Sequence, residues 1–202
     1  MLTRFRAFWT KVFTPVARLF LRLGISPDAV TVVGTLGVCA GALVFFPRGQ
    51  LLVGVLVISA FVFSDLVDGH MARLSGTSSK WGAFLDSTLD RFGDAAIFGG
   101  LVLYFAGPGS SGVLAGLALY CLVMGSITSY ARARAESLGM EARGGIAERA
   151  DRLVAILAMT GLSDIFDLPV LITIALVVLA AASTVTVVQR ILTVRSQAHA
   201  AL

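Results

Sequence analysis

Asp65-Leu66-Val67-Asp68-Gly69-His70-Met71-Ala72-Arg73, then eight residues, then Gly82-Ala83-Phe84-Leu85-Asp86-Ser87-Thr88-Leu89-Asp90, sets four aspartates between two long apolar runs. Residues 51–64 upstream and 95–111 downstream contain no charged side chain. Helical spacing places Asp65 and Asp68 about 60° apart on one helix and Asp86 and Asp90 about 40° apart on the next. The short connection predicts antiparallel neighbours, so the four carboxylates converge at one depth. Carboxylates in such a setting are costly and mark function. Four together repel one another unless cations neutralise them. Oxygen ligands with no competing His or Cys cluster point to Mg²⁺, Mn²⁺ or Ca²⁺. The plainer alternative is that the aspartates pair with Arg73, Lys80 and Arg91 to brace a helix hairpin. Gly69 leaves room for a ligand beside Asp68, and Gly82 is expected to let helices pack closely before Asp86. The Arg73 guanidinium suits a diphosphate. His70 is expected to face the headgroup region of a membrane and not a metal.

Outward from this stretch, the chain reads as an all-α integral membrane protein. Of its 202 residues, 57% are apolar and only 14% charged, whereas a soluble domain runs near a quarter charged. Six transmembrane helices are expected, at about 28–46, 51–73, 81–105, 112–134, 150–166 and 169–190, since a span needs about 20 mostly apolar residues. The fifth is short. Ahead of them, Leu2, Phe5, Phe8, Val12, Phe13, Val16, Leu19, Phe20 and Leu23 recur at helical spacing with Arg4, Lys11 and Arg18 on another face. That pattern predicts an interfacial amphipathic helix; the basic residues inside it and the lack of a cleavage site argue against a signal peptide. Three parts follow: 1–24, the juxtamembrane helix; 25–195, the six-helix unit; and 196–202, a short cytoplasmic tail. Cys39 and Cys121 lie inside apolar segments and read as buried thiols.

All of the 16 Lys and Arg except Arg48 fall on one side of this six-span arrangement. The positive-inside rule then puts both termini, the 74–80 and 135–149 loops and the aspartates in the cytoplasm of a cell membrane. Basic residues that flank apolar spans speak for lipid and against nucleic acid as partner. A cation-coupled transporter is a remote alternative. It would need a polar path across the bilayer, and the outer halves of the spans are expected to lack charge.

With these residues in place, the chain resembles the CDP-alcohol phosphotransferase family. The family pattern D-x2-D-G-x2-A-R-x8-G-x3-D-x3-D is met without departure by Asp65, Asp68, Gly69, Ala72, Arg73, Gly82, Asp86 and Asp90. The resemblance implies transfer of a phosphatidyl group from CDP-diacylglycerol to an alcohol, with release of CMP. It implies that Asp65, Asp68, Asp86 and Asp90 hold Mg²⁺ or Mn²⁺, two ions in all, and that Asp90 is also the general base. Asp28, Ala29, Val30, Thr31, Gly69, Arg73 and Ser79 would contact CDP-diacylglycerol. Ser129 to Glu136, Glu148 to Arg152 and Val188 to Arg190 resemble actinobacterial members that make phosphatidylinositol phosphate as homodimers. The implied acceptor is therefore inositol 1-phosphate (1D-myo-inositol 3-phosphate). Its phosphate would be bound by Arg132, Arg152 and Arg190, with Arg134 and Arg149 in reserve. Glycerol 3-phosphate, giving phosphatidylglycerophosphate, is the alternative acceptor.

Overall fold

The computed structural model describes residues 14–62, 64–76, 79–142 and 144–200, without the side chains of 64–66. The first half of the expected interfacial helix thus lies outside the described residues, as do the Asp65 side chain and Arg143. Residues 14–22 form α1. Then follow α2 (Pro27–Ala40), carried on by a π-helical turn (Gly41–Phe45) and a 3₁₀ turn (Phe46–Arg48), α3 (Leu51–Val62), α4 (Ser64–Ser75), α5 (Lys80–Ala106), α6 (Gly112–Ser137), α7 (Arg149–Phe166) and α8 (Val170–Ala200). No strand occurs among the described residues.

The helix ends follow local chemistry. Ser26 accepts from Ala29 N–H at 3.2 Å with Pro27 behind it, Ser79 from Gly82 N–H at 3.0 Å, and Ser111 from Leu114 N–H at 3.3 Å. Each hydroxyl satisfies a backbone donor that the first turn leaves free. Glu148 and Asp151 form a reciprocal capping box on α7. Asp167, in the left-handed region at φ 52°, ends α7 two residues before Pro169.

Six rods close into a ring: α2 packs on α5, α5 on α6, α6 on α8, α8 on α7, α7 on α3 and α3 on α2. The core fills with Phe46, Ile58, Ile97, Phe98, Leu101, Ile156, Ile172 and Leu176, all nearly inaccessible. Between helices in lipid, close packing does what exclusion of water does in a soluble core. The Phe46 ring shows how. It sits in a notch made by Gly54 and Gly100, whose added Cβ atoms would come within 2.6 Å and 3.1 Å of the ring, and 2.8 Å separates the Gly100 position from the Ala42 carbonyl. The two cysteines are free, Cys121 buried and Cys39 partly so.

The element pattern follows the expected spans, with differences. Four rods are long and apolar enough to cross a membrane: Pro27–Arg48, Leu51–Ser75, Gly112–Ser137 and Val170–Ala200. Helices α5 and α7 carry too many charges to qualify by composition. α8 runs to Ala200, through most of the expected tail, because residues 191–200 contain no Gly or Pro and Gln197 is anchored. Its side-chain amide accepts from Glu141 N–H at 2.8 Å and donates to Glu141 O at 2.6 Å. The outer end of α7 is not free of charge: Asp164 accepts from Leu52 N–H at 2.9 Å and so caps α3. His70 faces inward. It is 8% exposed, with Nε2 2.9 Å from Thr14 Oγ1, and so links α4 to α1 beside Ala17, Val67 and Met71.

Candidate active site

Helices α4 and α5 both pack on α2, and residues of both line a cavity beside its start. Its volume is about 570 Å³, and it is lined by Ser26, Pro27, Asp28 and Thr31 of the α2 start, by Asp68, Gly69, Ala72 and Arg73 of α4, and by Ser79, Gly82, Ala83 and Asp86. Five of the seven expected nucleotide contacts line it. Ala29 and Val30 do not: Ala29 is exposed, and Val30 packs with Val67 and Met71 in a small core under α1. Within the cavity wall, Asp28 accepts from Trp81 Nε1 at 3.1 Å. Gly69 and Gly82 serve the space and not helix contact. A Cβ on Gly69 would meet only Arg73 Nη1 at 3.7 Å, and one on Gly82 only Ser79 Oγ at 3.5 Å and Asp28 Oδ1 at 3.8 Å.

Asp68 is 5% exposed. Thr31 Oγ1 lies 2.5 Å from its Oδ2 and 3.1 Å from Pro27 O, and the Gly69 N–H donates to Oδ1. Thr31 therefore orients the carboxylate as much as it lines the cavity. Asp68 also lies within electrostatic reach of Asp86 and Asp90.

A second cavity, about 900 Å³, opens from the same place toward α6, α7 and α8. It shares Ala83 and Asp86 with the first and adds Asp90, Arg91, Tyr130, Arg132, Arg149, Arg152 and Arg190. Asp86 thus stands on the partition between the two spaces. Both cavities are lined by oxygen donors without His or Cys among the described residues, which fits a hard divalent ion. No three such groups close into a ready-made ligand set among those residues; Asp65, the expected fourth, has its side chain outside them.

The arginines differ in how they are held. Arg132 is half exposed and paired with Glu136 at 2.9 Å. Arg152 is 2% exposed and donates to Ala147 O at 3.1 Å. Arg190 is 6% exposed and donates to Gly144 O at 3.2 Å and Thr128 O at 2.6 Å, so it holds the α6–α7 loop while facing the cavity. Arg149 bonds Asp90 at 2.7 Å and Asp94 at 2.9 Å. Arg134 donates to Ser137 at 3.3 Å and is not among the residues lining the cavity. Arg91 lies 3.6 Å from both Asp90 and Asp94, but all three lie on α5, so these contacts brace no helix hairpin; Asp90 faces the cavity as well. Asp94 is the residue that the spacing argument overlooks. It continues the Asp86, Asp90 series by one further turn, and that i+4 step in an apolar helix is the signal for it.

A family model described as CDP-alcohol phosphatidyltransferase matches residues 24–147. Phosphatidylinositol phosphate synthase of Streptomyces avermitilis is 52% identical over 198 residues, covering 95% of this chain and 81% of that protein. The synthase of Cutibacterium acnes is also 52% identical, over 202 residues, covering 96% of this chain and 98% of its own. Among solved structures, the Mycobacterium tuberculosis synthase with CDP-DAG bound superposes with a TM-score of 0.87 at 42% identity, over 91% of this chain and 94% of that one. The same protein has been solved with manganese and citrate, at a TM-score of 0.84. Matched across most of its helical unit in sequence and along nearly its whole length in structure, this chain belongs to the CDP-alcohol phosphatidyltransferase family.

Proposed function

We propose that this chain transfers the phosphatidyl group of CDP-diacylglycerol to inositol phosphate, yielding phosphatidylinositol phosphate and CMP. The carrying observation is the pair of cavities that meet at Asp86. The first, with Arg73 and the α2 start, suits the CDP portion: a guanidinium fork matches diphosphate oxygens. The second, ringed by arginines, suits an anionic acceptor. The names of the relatives support this overall reaction.

In this reading the acceptor hydroxyl enters beside Asp90, which takes its proton as general base. The acceptor oxygen bonds to the lipid-bearing phosphorus, and the bond from that phosphorus to the CMP oxygen breaks, its electron pair leaving with CMP. Asp65, Asp68, Asp86 and Asp90 would hold divalent ions, Mg²⁺ or Mn²⁺ and two in number. Such ions, when bound, neutralise charge developing on the phosphates. Arg149 fixes the Asp90 carboxylate, Thr31 fixes that of Asp68, and Arg132, Arg152 and Arg190 orient the acceptor phosphate. The six rods would all span, with both termini and the two cavities on the cytoplasmic side, and the enzyme would work as a homodimer.

The test offers purified protein CDP-diacylglycerol, Mg²⁺ and one acceptor at a time. Turnover is expected with inositol 1-phosphate, not with inositol, and none is expected in EDTA. Preference for glycerol 3-phosphate would move the function to phosphatidylglycerophosphate synthesis. Equal reaction with unphosphorylated inositol, or full activity in EDTA, would refute the reading.

A further inference from the structure

Asp94 is 6% exposed and faces three guanidinium groups: Arg149 Nε at 2.9 Å, Arg91 Nε at 3.6 Å and Arg152 Nη2 at 3.8 Å. It does not itself line the acceptor cavity, but all three of those arginines do. Arg149 is shared, its Nη1 lying 2.7 Å from Asp90. The Arg91 Nε is buried and has no hydrogen-bond partner, so this guanidinium is gathered by charge and not saturated by it. We propose that Asp94 is a positioning residue for the acceptor: its carboxylate gathers Arg91, Arg149 and Arg152 into one cradle for a phosphate, and through Arg149 it ties that cradle to Asp90. The proposal rests on reading the larger cavity as the acceptor site.

Two effects compete when Asp94 loses its charge. Simple electrostatics says that removing an anion from among arginines raises the positive potential and tightens phosphate binding. Positioning says the reverse. Arg149 would be left to Asp90 alone, and Arg152, with almost no access to water, would lose its only anionic partner among the described residues. A buried charge without its partner rearranges or draws in water. Arg152 lies 2% exposed against Gly125, where an added Cβ would meet its guanidinium at 3.2 Å, so its present position depends on close fit. Positioning therefore outweighs potential, and the sign of the change decides between the two.

The experiment measures equilibrium binding of radiolabelled inositol phosphate to the purified full chain with Mg²⁺, alongside KM for both substrates. Asp94→Asn should weaken acceptor binding about tenfold, equivalent to ~1.4 kcal/mol, with KM for CDP-diacylglycerol within about twofold of wild type. Asp94→Glu, which restores the charge, should recover most of that loss. Arg149→Gln should also weaken the acceptor, and its effect should not add to that of Asp94→Asn, because the two act through one contact. Should Asp94→Asn alone fail to fold, the double variant Asp94→Asn/Arg149→Gln is compared with Arg149→Gln: equal acceptor binding supports the proposal, and a further tenfold loss overturns it. Tighter or unchanged acceptor binding in Asp94→Asn, or strict additivity with Arg149→Gln, overturns the proposal. Wild type that binds no phosphorylated acceptor would overturn the acceptor-site reading as well. Wild type that prefers glycerol 3-phosphate shifts only the function, and the Asp94 comparison is then read on that acceptor.

Discussion

At the scale of single residues, the proposed chemistry rests on Asp90 and the arginines around it. Asp90 lies in the wall of the larger cavity with its Oδ1 held by Arg149. Replacing it by Asn keeps the shape and removes the proposed base. Asp90→Asn should lose turnover by about 10²–10⁴-fold, the range for a positioned base, while equilibrium binding of CDP-diacylglycerol persists. A variant that keeps more than about a tenth of the rate would place the base elsewhere. Arg132, Arg152 and Arg190 should each raise the acceptor KM when changed to Ala, by one to two decades for a loss of ~1.5–3 kcal/mol per charged contact. The structure ranks them. Arg132→Ala should be mildest, because that side chain is half exposed and shared with Glu136. Arg190→Ala should also lower thermal stability, since the Thr128 and Gly144 carbonyls lose their donor. Exposed Arg195→Ala serves as control and should leave the acceptor KM unchanged.

The elements work by holding these groups at a common level. Helices α6 and α7 meet where Gly125 faces the Arg152 guanidinium, and an added Cβ would lie 3.2 Å from Nη2. Arg152 is pinned there by Ala147 O and faces Asp94, so it has little room to retreat. Gly125→Ala should thus raise the acceptor KM on the order of tenfold, leave the KM for CDP-diacylglycerol alone, and cost ~1–3 kcal/mol of stability as overpacking does. If steady-state kinetics show both KM values unchanged, Arg152 is not fixed by this contact. The loop between α6 and α7 depends likewise on α8: Thr186 Oγ1 accepts from Ile146 N–H at 3.1 Å and Ala147 N–H at 3.2 Å. The helix caps that start α2, α5 and α6 are serines readable in the chain. The approach of Gly125 to Arg152 is not, because nothing local relates residues on different helices.

For the whole molecule, the ring of six rods brings Asp68, Asp86, Asp90 and the arginines to one end, with Arg48 and the Ser110 turn at the other. Positive charge retained on the inner side then predicts how the protein sits in a membrane. In a background with Cys39 and Cys121 changed to Ala, Ser137→Cys should react with a membrane-impermeant maleimide only after the cells are opened. Ser110→Cys should react in intact cells. Labelling of both from one side would mean that α6, which separates the two positions, does not span.

Sequence by itself determined the helical class and the rod boundaries to within a few residues except at α8, because these depend on local hydropathy and fixed helical spacing. It also led to the family through the spacing of eight residues. Tertiary structure decided which side chains meet. It put Val30 into a core and kept Asp28 and Thr31 at the cavity. It packed both α4 and α5 on α2 around a shared cavity, and it buried His70 against Thr14. It also brought Asp94 to three arginines, two of them from α7. The physical reason is the same each time: spacing within one helix sets which face a residue occupies, but only the packing of that helix on its neighbours sets what the face meets.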